Sequence, residues 1–188
     1  MNDLRDFIAL LRGKGQLAVV DTPVDPVLEI TEIADRVGKA GGPALLFTHP
    51  KGGTAPVLIN QFGSHERMCL ALRASSYDDL AARVEKLTAL EVPGSAWDKL
   101  KALGRLKDLA ALQPQSVKHG VCQEVVLTGD EIDLEALPVL QCWPLDAGRY
   151  ITLPLVFTRH PRTGVRNVGM YRLQVFDKRT TGMHWHIH

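Results

Sequence analysis

Cysteine is scarce in this sequence, and the three cysteines that are present lie far apart. Cys69, Cys122 and Cys142 form no CxxC pair, and an odd number of cysteines cannot all pair with one another. Small secreted domains that depend on disulfide bonds carry many more cysteines for their length. The sequence therefore argues against a disulfide framework and against a structural zinc site of the CxxC type.

Long hydrophobic runs and an excess of charge of one sign are also missing. No apolar run approaches the roughly 20 residues of a transmembrane helix, and residues 1–17 predict an amphipathic helix, not a signal peptide, because Arg5, Asp6 and Arg12 interrupt the apolar stretch. The formal net charge of +1 gives no general electrostatic basis for binding nucleic acid or an anionic membrane. We therefore expect a cytoplasmic protein with no transmembrane segment and no nucleic-acid partner.

Motifs for nucleotide binding and for nucleophilic catalysis are absent as well. The glycine-rich stretches KAGGP and HPKGG lack the GxGxxG and GxxxxGK spacings that present backbone N–H groups to phosphates. There is no GxSxG motif, and no cysteine has an evident activating neighbour, although Cys142 beside Trp143 stays open as a reactive thiol. Four isolated histidines are predicted surface or capping residues: His49, His65, His119 and His160.

The first half of the chain predicts an α/β layer. Asp3 is a candidate N-cap for a helix whose apolar residues recur at helical spacing. Pro26 suits the first position of a second helix. The stretches LAVV (17–20), ALLF (44–47) and PVLIN (56–60) are typical of short strands.

A helical segment follows, and a linker separates it from the second half. Helical spacing of apolar residues runs from Ser64 to about Leu112, with Ser76 and Asp79 resembling a capping box at the start of one helix. The stretch QPQSVKHG (113–120) has the composition of a linker. We therefore predict an N-terminal α/β domain at residues 1–120 and a second domain at residues 121–188.

The second half predicts antiparallel β-structure. Four stretches read as strands, and turn-forming residues in TGDE, HPRTG and DKRTTG separate them. These stretches are VCQEVVL (121–127), YITLPLVFT (150–158), RNVGMYRLQVF (166–176) and GMHWHIH (182–188). Short strands joined by hairpins are typical of a sandwich or a small barrel.

The last predicted strand carries three histidines at alternate positions. In a regular strand His184, His186 and His188 would share one face, with Trp185 on the other. Three imidazoles on one face could bind a divalent transition metal, could line a pocket for a phosphate or a flavin ring, or could simply face solvent. The residues alone leave these alternatives open, and the first of them describes a non-enzymatic metal-binding or interaction module.

The preceding strand contains an arginine among alternating apolar residues. A regular pleat would place Asn167 and Arg172 on opposite faces, unless Gly169 permits a bulge or bend that turns both inward. An arginine in a strand interior is costly to bury without an anion. A carboxylate or phosphate would pair with its planar guanidinium in a bidentate manner, although an ordinary surface arginine also fits the sequence.

These motifs together resemble the UbiD family of decarboxylases that use prenylated FMN. The resemblance lies in PLDAGRYIT (144–152), in the Asn-x-Gly-x-Tyr-Arg stretch that begins at Asn167, and in the DKRTTGM hairpin that follows. The stretches DLRDFIALLRGKGQL (3–17) and EITEIADR (29–36) resemble the N-terminal α/β domain of the same family. The resemblance implies that residues 121–188 form the first, incomplete part of a split barrel of the flavin-binding type.

The resemblance also implies specific roles for residues of the second half. Asn167 matches the asparagine that binds a divalent metal, usually manganese, which bridges to the cofactor phosphate. Arg172 matches the arginine that binds the substrate carboxylate and belongs to the catalytic set. The cofactor-binding residues implied by the match are Asn167, Met170, Tyr171, Arg172, His184, Trp185, His186 and His188.

The activity implied by the resemblance is a reversible, non-oxidative decarboxylation of an aromatic or α,β-unsaturated acid. The implied cofactors are prenylated FMN and Mn²⁺, with K⁺ as a further candidate ion. The implied partners are a carboxylic acid substrate and a flavin prenyltransferase that supplies the cofactor, and the full-length protein is expected to be a homo-oligomer. A cofactor of this kind carries the difficult electronic chemistry while the protein supplies orientation and charge.

The length of the chain departs from the family pattern. The acidic catalytic residues and a glutamate metal ligand of the family lie beyond the position of His188, and neither Asp146 nor Asp177 is placed to replace them. We therefore expect a truncated N-terminal portion of such an enzyme that is inactive by itself.

Overall fold

The computed structural model of the chain describes residues 3–88 and 116–185. The chain divides into two compact units, of which one comprises Met1–Arg67 with Leu127–His188 and the other comprises Met68–Val126. The predicted domain division at residue 120 stays a prediction. The first half combines α-helices with a small sheet, and the described second half combines small sheets with short 3₁₀ turns, so the expected mixed α/β architecture is confirmed.

Helix α1 (Leu4–Gly13) opens the first unit and follows the sequence prediction closely. Asp3 is its N-cap, and a carboxylate oxygen of Asp3 accepts a hydrogen bond of 3.0 Å from the backbone N–H of Asp6. Phe7 and Leu11 are buried, as expected for the apolar stripe of an amphipathic helix. The chain leaves the helix through Gly15, whose φ of 67° favours glycine.

A three-stranded sheet forms the core of the first unit. Strands β1 (Leu17–Val20) and β2 (Ala44–Phe47) are parallel, and β3 (Val57–Ile59) pairs with β2 in the antiparallel direction. Helix α2 (Glu29–Lys39) makes the connection between the two parallel strands. The buried residues of the resulting cluster are Val24, Ile30, Ala34, Leu45 and Phe47, and Leu140 of the second half packs against them.

Helix α2 begins later than the sequence predicts. Its first residue is Glu29, whereas Pro26 was the expected first position, so that expectation is wrong. The backbone before the helix is instead hydrogen-bonded to Gln141. The N–H of Leu28 donates to the carbonyl oxygen of Gln141 at 3.0 Å, and the N–H of Gln141 donates to the carbonyl oxygen of Pro26 at 3.3 Å. Leu28 then has a φ of 69°, outside the helical region.

The second half of the first unit contains two small antiparallel sheets. Strands β4 (Arg149–Ile151), β7 (Leu173–Val175) and β8 (Thr181–Met183) form one of them, with β7 in the centre. Strands β5 (Leu155–Arg159) and β6 (Arg166–Met170) form the other. The described strands do not by themselves close into a barrel.

Two of the predicted strands are each divided between the two sheets. The run 150–158 is interrupted before Pro154, which has no N–H to donate to a ladder, and Leu153 has a φ of 61°. The run 166–176 is interrupted at Tyr171 and Arg172, where the chain passes from β6 to β7. A sequence pattern with period two cannot show such a change of sheet, because it reports only which side chains alternate.

The two faces of the β5–β6 hairpin differ in chemistry. Leu155 lies opposite Met170 and Phe157 lies opposite Val168, so these four side chains share one face, and each is at least 48% exposed. Asn167 and the neighbouring glycine lie on the other face.

The described residues of the second unit are α-helical mainly between residues 68 and 88. Helix α3 (His65–Leu72), which begins at the end of the first unit's first segment, and helix α4 (Tyr77–Thr88) follow β3. The part of the predicted helical segment beyond Thr88, to about Leu112, lies outside the described residues. The strand predicted at 121–127 is wrong. Val121–Gln123 forms a 3₁₀ turn, and Val125 is 76% exposed with no partner strand in the described part of this unit. Nowhere in residues 3–88 and 116–185 is a helix long and apolar enough to cross a membrane.

The start of α4 provides a first prediction. The backbone N–H of Asp79 donates to Ser76 Oγ at 3.1 Å, and an Asp79 carboxylate oxygen accepts from the N–H of Ser75 at 2.9 Å. Ser76→Ala leaves the N–H of Asp79 without its cap, so we expect α4 to lose about 1 kcal/mol of stability. Hydrogen exchange at the amides of residues 79–84 should be faster by about fivefold, while Ser116→Ala, a change at an exposed position outside any helix, should leave it unaltered. Equal exchange in both variants would contradict the capping role.

Candidate functional site

The residues predicted to bind the cofactor lie at the passage from β6 to β7 and just after β8. Asn167 and Met170 belong to β6, while His184 and Trp185 follow the end of β8 at Met183. Tyr171 and Arg172 are the two residues between the sheets. The other two predicted residues, His186 and His188, lie outside the described residues.

One group of side chains, here called the tyrosine cluster, consists of Asn167, Gly169, Tyr171 and Trp185. The ring centroids of Tyr171 and Trp185 are 5.1 Å apart, with the planes tilted by 41°. The side-chain amide of Asn167 donates to Tyr171 Oη across 3.4 Å. The structure therefore brings together three of the predicted residues, whereas Met170 lies on the opposite face of β6, as the pleat requires.

Gly169 has a different role from the one its sequence position suggests. Its pairing with Val156 is regular and β6 continues through Met170, so the bulge that the sequence allowed at Gly169 is not formed. A Cβ atom at residue 169 would instead lie 2.5–2.8 Å from ring atoms of Tyr171. Glycine is therefore required at this position so that the Tyr171 ring can lie against the strand and reach Asn167.

A second group, here called the arginine cluster, consists of Tyr150, Arg172 and Gln174. The guanidinium carbon of Arg172 lies 4.3 Å from the centroid of the Tyr150 ring. Tyr150 Oη donates to Gln174 Oε1 at 3.2 Å, and Gln174 Nε2 donates to the carbonyl oxygen of Ala147 at 3.1 Å. Tyr150 of β4 and Gln174 of β7 are directly opposite each other in the ladder.

Arg172 differs from Arg149 and Arg179 in its ionic contacts. Arg149 lies 4.0 Å from a carboxylate oxygen of Glu135, and Arg179 lies 2.8 Å from one of Asp130. Arg172 is exposed, and no carboxylate of residues 3–88 or 116–185 lies within ion-pair distance of it. A guanidinium carries five N–H donors, so without a carboxylate partner among the described residues Arg172 retains donors that can bind an anion.

The backbone joins the two clusters. Tyr171 and Arg172 are consecutive, and the N–H of His184 donates to the carbonyl oxygen of Arg172 at 3.0 Å. Since β8 ends at Met183, His184 is not part of a continuous strand that would carry three histidines on one face. The predicted strand over 182–188 is therefore wrong at residues 184 and 185, and its last three residues lie outside the described part of the chain.

One side chain of the site, that of Asn167, has the chemistry to bind the predicted divalent metal. Because the Asn167 amide nitrogen donates to Tyr171, its carbonyl oxygen Oδ1 is left available, and amide oxygens are ligands that Mn²⁺ and Mg²⁺ accept. In residues 3–88 and 116–185 there is no group of three or more His, Cys, Asp or Glu side chains that could hold a metal. Asn167 would therefore need further oxygen ligands from a phosphate, from water or from additional protein.

The two carboxylates nearest in sequence are engaged in turns. An oxygen of Asp177 accepts a hydrogen bond of 2.8 Å from the N–H of Arg179, and hydrogen bonds of this kind lower the pKa of Asp177 below its usual value. An oxygen of Asp146 accepts one of 3.0 Å from the N–H of Trp143. For Asp177, the lowered pKa makes the carboxyl a poor proton donor at neutral pH. That neither acid serves the site stays a prediction.

The sequence did not identify Tyr150 or Gln174 as site residues. Gln174 shares the parity of Arg172 on β7, which was the available signal. The contact of Tyr150 with Arg172 depends on the β4–β7 register, and the register of strands 24 residues apart cannot be read from one sequence.

Gly169→Ala provides a second prediction. The added methyl group would overlap the Tyr171 ring, so we expect the ring to leave β6, its contact with Asn167 to be lost, and stability to fall by about 1–3 kcal/mol. NMR should show displaced resonances for the Asn167 side-chain amide and the Trp185 indole. Gly13→Ala, where no atom lies within 4 Å of the new Cβ, should leave both resonances in place. Unchanged resonances in Gly169→Ala would contradict the assigned packing.

Comparison with protein families gives two matches that together cover most of the chain. Residues 8–87 match the model described as the 3-octaprenyl-4-hydroxybenzoate carboxy-lyase N-terminal domain. Residues 115–188 match the one described as the 3-octaprenyl-4-hydroxybenzoate carboxy-lyase Rift-related domain. The first match contains the three-stranded sheet, and the second contains both residue clusters.

Curated relatives are similar along the whole of this chain. An uncharacterized protein of Archaeoglobus fulgidus is 50% identical over 187 residues, which are 99% of this chain and 38% of the relative. An uncharacterized protein of Aquifex aeolicus is 48% identical over 188 residues, again 38% of its length. The chain thus spans well under half the length of the relatives it matches.

Solved structures with a similar fold include several carboxylic acid decarboxylases. The UbiD-class enzyme HmfF from Pelotomaculum thermopropionicum in complex with FMN is 28% identical, with a TM-score of 0.69 over 97% of this chain and 36% of that one. Vanillic acid decarboxylase of Sedimentibacter hydroxybenzoicus is 27% identical, with a TM-score of 0.75 over 97% of this chain and 36% of that one. The 3,4-dihydroxybenzoic acid decarboxylase of Enterobacter cloacae is 27% identical, with a TM-score of 0.76 over 99% of this chain and 37% of that one.

Proposed function

The chain belongs to the UbiD family, and we propose that it supplies Arg172 and Asn167 to the active site of a carboxy-lyase. The proposed reaction is the reversible, non-oxidative decarboxylation of an aromatic or α,β-unsaturated carboxylic acid. The observation that carries the proposal concerns Arg172. Its guanidinium carbon lies over the Tyr150 ring, its side chain is exposed, and it has no carboxylate partner among the described residues. A planar cation held in this way suits bidentate binding of a substrate carboxylate.

Asn167 and the tyrosine cluster are proposed to serve the cofactor. Asn167 Oδ1 would be a ligand of a divalent metal, Mn²⁺ in our proposal, that also binds the cofactor phosphate. Tyr171 and Trp185 would offer aromatic surface for the cofactor, and His184, His186 and His188 would complete its polar contacts. Support for a flavin comes from HmfF, which is described in complex with FMN and, in an evolved dimeric form, with prFMN.

The division of work between cofactor and protein follows from these assignments. Prenylated FMN, when bound, supplies the electron sink for the decarboxylation. Arg172 would hold the carboxylate of the acid in one orientation until CO₂ leaves, which restricts the reacting carbon to a single position. After CO₂ leaves, Arg172 loses its anionic partner, so binding of the product is weaker than binding of the substrate.

The proton donor of the reaction is proposed to lie outside this chain. Asp146 and Asp177 are held in turns as described above, so we propose that carboxyl groups from a polypeptide of the relatives' length complete the site. Such a polypeptide is called the family-length protein below. We further propose that it completes a split barrel around β4–β8, is a cytoplasmic homo-oligomer, receives its cofactor from a flavin prenyltransferase, and takes K⁺ as an additional ion.

A turnover assay tests the proposed function. The family-length protein, expressed with and without a flavin prenyltransferase, is mixed with vanillate, 3,4-dihydroxybenzoate, cinnamate and furan-2,5-dicarboxylate, and the decarboxylated products are measured. We expect at least one of these acids to be decarboxylated only by the co-expressed protein, and the 188-residue chain to be inactive. Turnover by the 188-residue chain, or by family-length protein that carries no flavin, would contradict the proposal.

A further inference from the structure

We propose that Tyr150 and Gln174 are positioning residues that fix the plane of the Arg172 guanidinium for binding of a substrate carboxylate. This inference rests on the proposed function of Arg172 and adds two residues that the motif around Asn167 does not include. The starting observation is that Arg172 lies over an aromatic ring and not beside an acid: its guanidinium carbon is 4.3 Å from the centroid of Tyr150. No carboxylate among residues 3–88 and 116–185 competes for it.

The Tyr150 ring is itself held by hydrogen bonds to a neighbouring strand. Tyr150 Oη donates to Gln174 Oε1 at 3.2 Å, and Gln174 Nε2 donates to the carbonyl oxygen of Ala147 at 3.1 Å. Both polar ends of the Gln174 side chain are therefore engaged, so the amide has one defined orientation. Because Ala147 lies in the loop two residues before β4, the contacts lead from β4 to β7 and back to the chain just before β4.

The strand register explains why these three residues meet. Tyr150 and Gln174 are a directly opposed pair of the β4–β7 ladder. Arg172 lies two residues before Gln174, so the pleat directs it to the same face. An arginine on an exposed strand would otherwise sample many rotamers, and fixing a long side chain at binding costs affinity. A ring held on one side of the guanidinium lowers that cost and leaves the in-plane N–H donors open to a carboxylate.

Variants of Tyr150 and Gln174 separate the stacking from the hydrogen bonds. Tyr150→Leu removes the ring, Tyr150→Phe keeps the ring but not its hydroxyl, and Gln174→Met removes both hydrogen bonds at similar volume. In the family-length protein we expect Tyr150→Leu to raise KM for the decarboxylated acid by about 5- to 30-fold, with kcat changed less than threefold. Tyr150→Phe and Gln174→Met should each raise KM by about two- to fivefold. Their double variant should be no worse than Gln174→Met alone, because the hydrogen bond that Tyr150→Phe breaks is already lost in Gln174→Met.

A spectroscopic measurement on the 188-residue chain provides a readout that does not depend on activity. Ring current from Tyr150 should shift the Arg172 Nε–H proton upfield, and the shift should persist in Tyr150→Phe and disappear in Tyr150→Leu. Phe157→Leu, a change of an exposed aromatic residue of β5 outside both clusters, should leave the Arg172 resonance and KM unchanged.

The outcomes distinguish failure of this inference from failure of the proposed function. If the wild-type protein shows turnover that depends on Arg172, yet Tyr150→Leu leaves KM and the Arg172 resonance unchanged, the inference is wrong and the proposed function stands. If Tyr150→Leu lowers kcat at constant KM in proportion to the loss of folded protein, Tyr150 is merely structural and the inference is also wrong. If Arg172→Ala does not affect turnover, the role assigned to Arg172 is wrong, and this inference, which rests on that role, is wrong as well.

Discussion

Replacing Arg172 with alanine is expected to reduce kcat/KM of the family-length protein by about 10²- to 10⁴-fold, because the substrate carboxylate would be left without its ionic partner. Breaking a desolvated charge pair by removal of one partner costs about 3–5 kcal/mol, and every 1.36 kcal/mol corresponds to a factor of ten in rate. The measurement is steady-state turnover with whichever acid the wild-type protein decarboxylates. The exposed position of Arg172 in the 188-residue chain means that folding should not depend on it.

Two further variants make the Arg172 result specific. Arg172→Lys keeps the positive charge but not the bidentate planar geometry, so we expect it to recover only part of the loss. Arg166→Ala removes an exposed arginine from β6 and should change kcat/KM less than threefold. A similar loss in Arg166→Ala would indicate a general charge effect, and full activity in Arg172→Ala would contradict the assigned role.

Replacing Phe47 with alanine is expected to lower the free energy of unfolding of the first unit by about 3–5 kcal/mol. Phe47 is fully buried in the cluster formed by β2, α2 and the segment before it, and truncation would leave a cavity there. Since domains of this size are stable by about 5–15 kcal/mol in total, the variant should be close to the limit of folding. Urea denaturation measures the free energy of unfolding, and hydrogen exchange at the amides of β2 is measured as a second readout.

A matched control for Phe47 is available in the same unit. Phe157 is 64% exposed on β5, so Phe157→Ala removes the same atoms without creating a cavity and should cost less than about 1 kcal/mol. Equal destabilisation by the two variants would contradict the assignment of the core to the three-stranded sheet.

The N-terminal half of the fold could be predicted because its signals are local. Asp3 as the N-cap of α1, and β1, β2 and β3 at the predicted stretches, follow from capping chemistry and from runs of apolar residues. The start of α2 was placed wrongly because residues 26–28 pair with Gln141, which lies more than a hundred residues away in the chain. Long-range backbone pairing leaves no trace in a local pattern.

The second half shows the limit of reading strands from alternation. Residues 121–127 have the apolar composition of a strand but find no partner in the described part of their unit, and they remain exposed. Residues 150–158 and 166–176 are strand-forming throughout, yet each crosses between two sheets. A strand requires a neighbour for its backbone hydrogen bonds, and single-sequence patterns do not identify that neighbour.

Only part of the candidate site could be predicted, again because a single sequence does not show which strands are neighbours. Asn167, Tyr171 and Trp185 were identified through the family resemblance, and the structure brings them together through the ring of Tyr171. Arg172 was identified in the same way, but its contacts with Tyr150 and Gln174 depend on a register that only the folded sheet provides. The sequence allowed a bulge or bend at Gly169, whereas in the structure the absence of a Cβ atom there accommodates the Tyr171 ring.

Native mass spectrometry, combined with an absorbance spectrum, can show whether Asn167 serves a joint flavin and metal site. The proteins to compare are the family-length protein and its Asn167→Ala and His184→Ala variants. All three are expressed with a flavin prenyltransferase. The account predicts that the unchanged protein carries prenylated FMN and one divalent metal per subunit, and that Asn167→Ala loses both together. It also predicts that His184→Ala keeps the metal. A zinc or nickel ion that is bound without flavin, is lost in His184→Ala and is retained in Asn167→Ala would contradict the account and would favour a histidine-based metal-binding module.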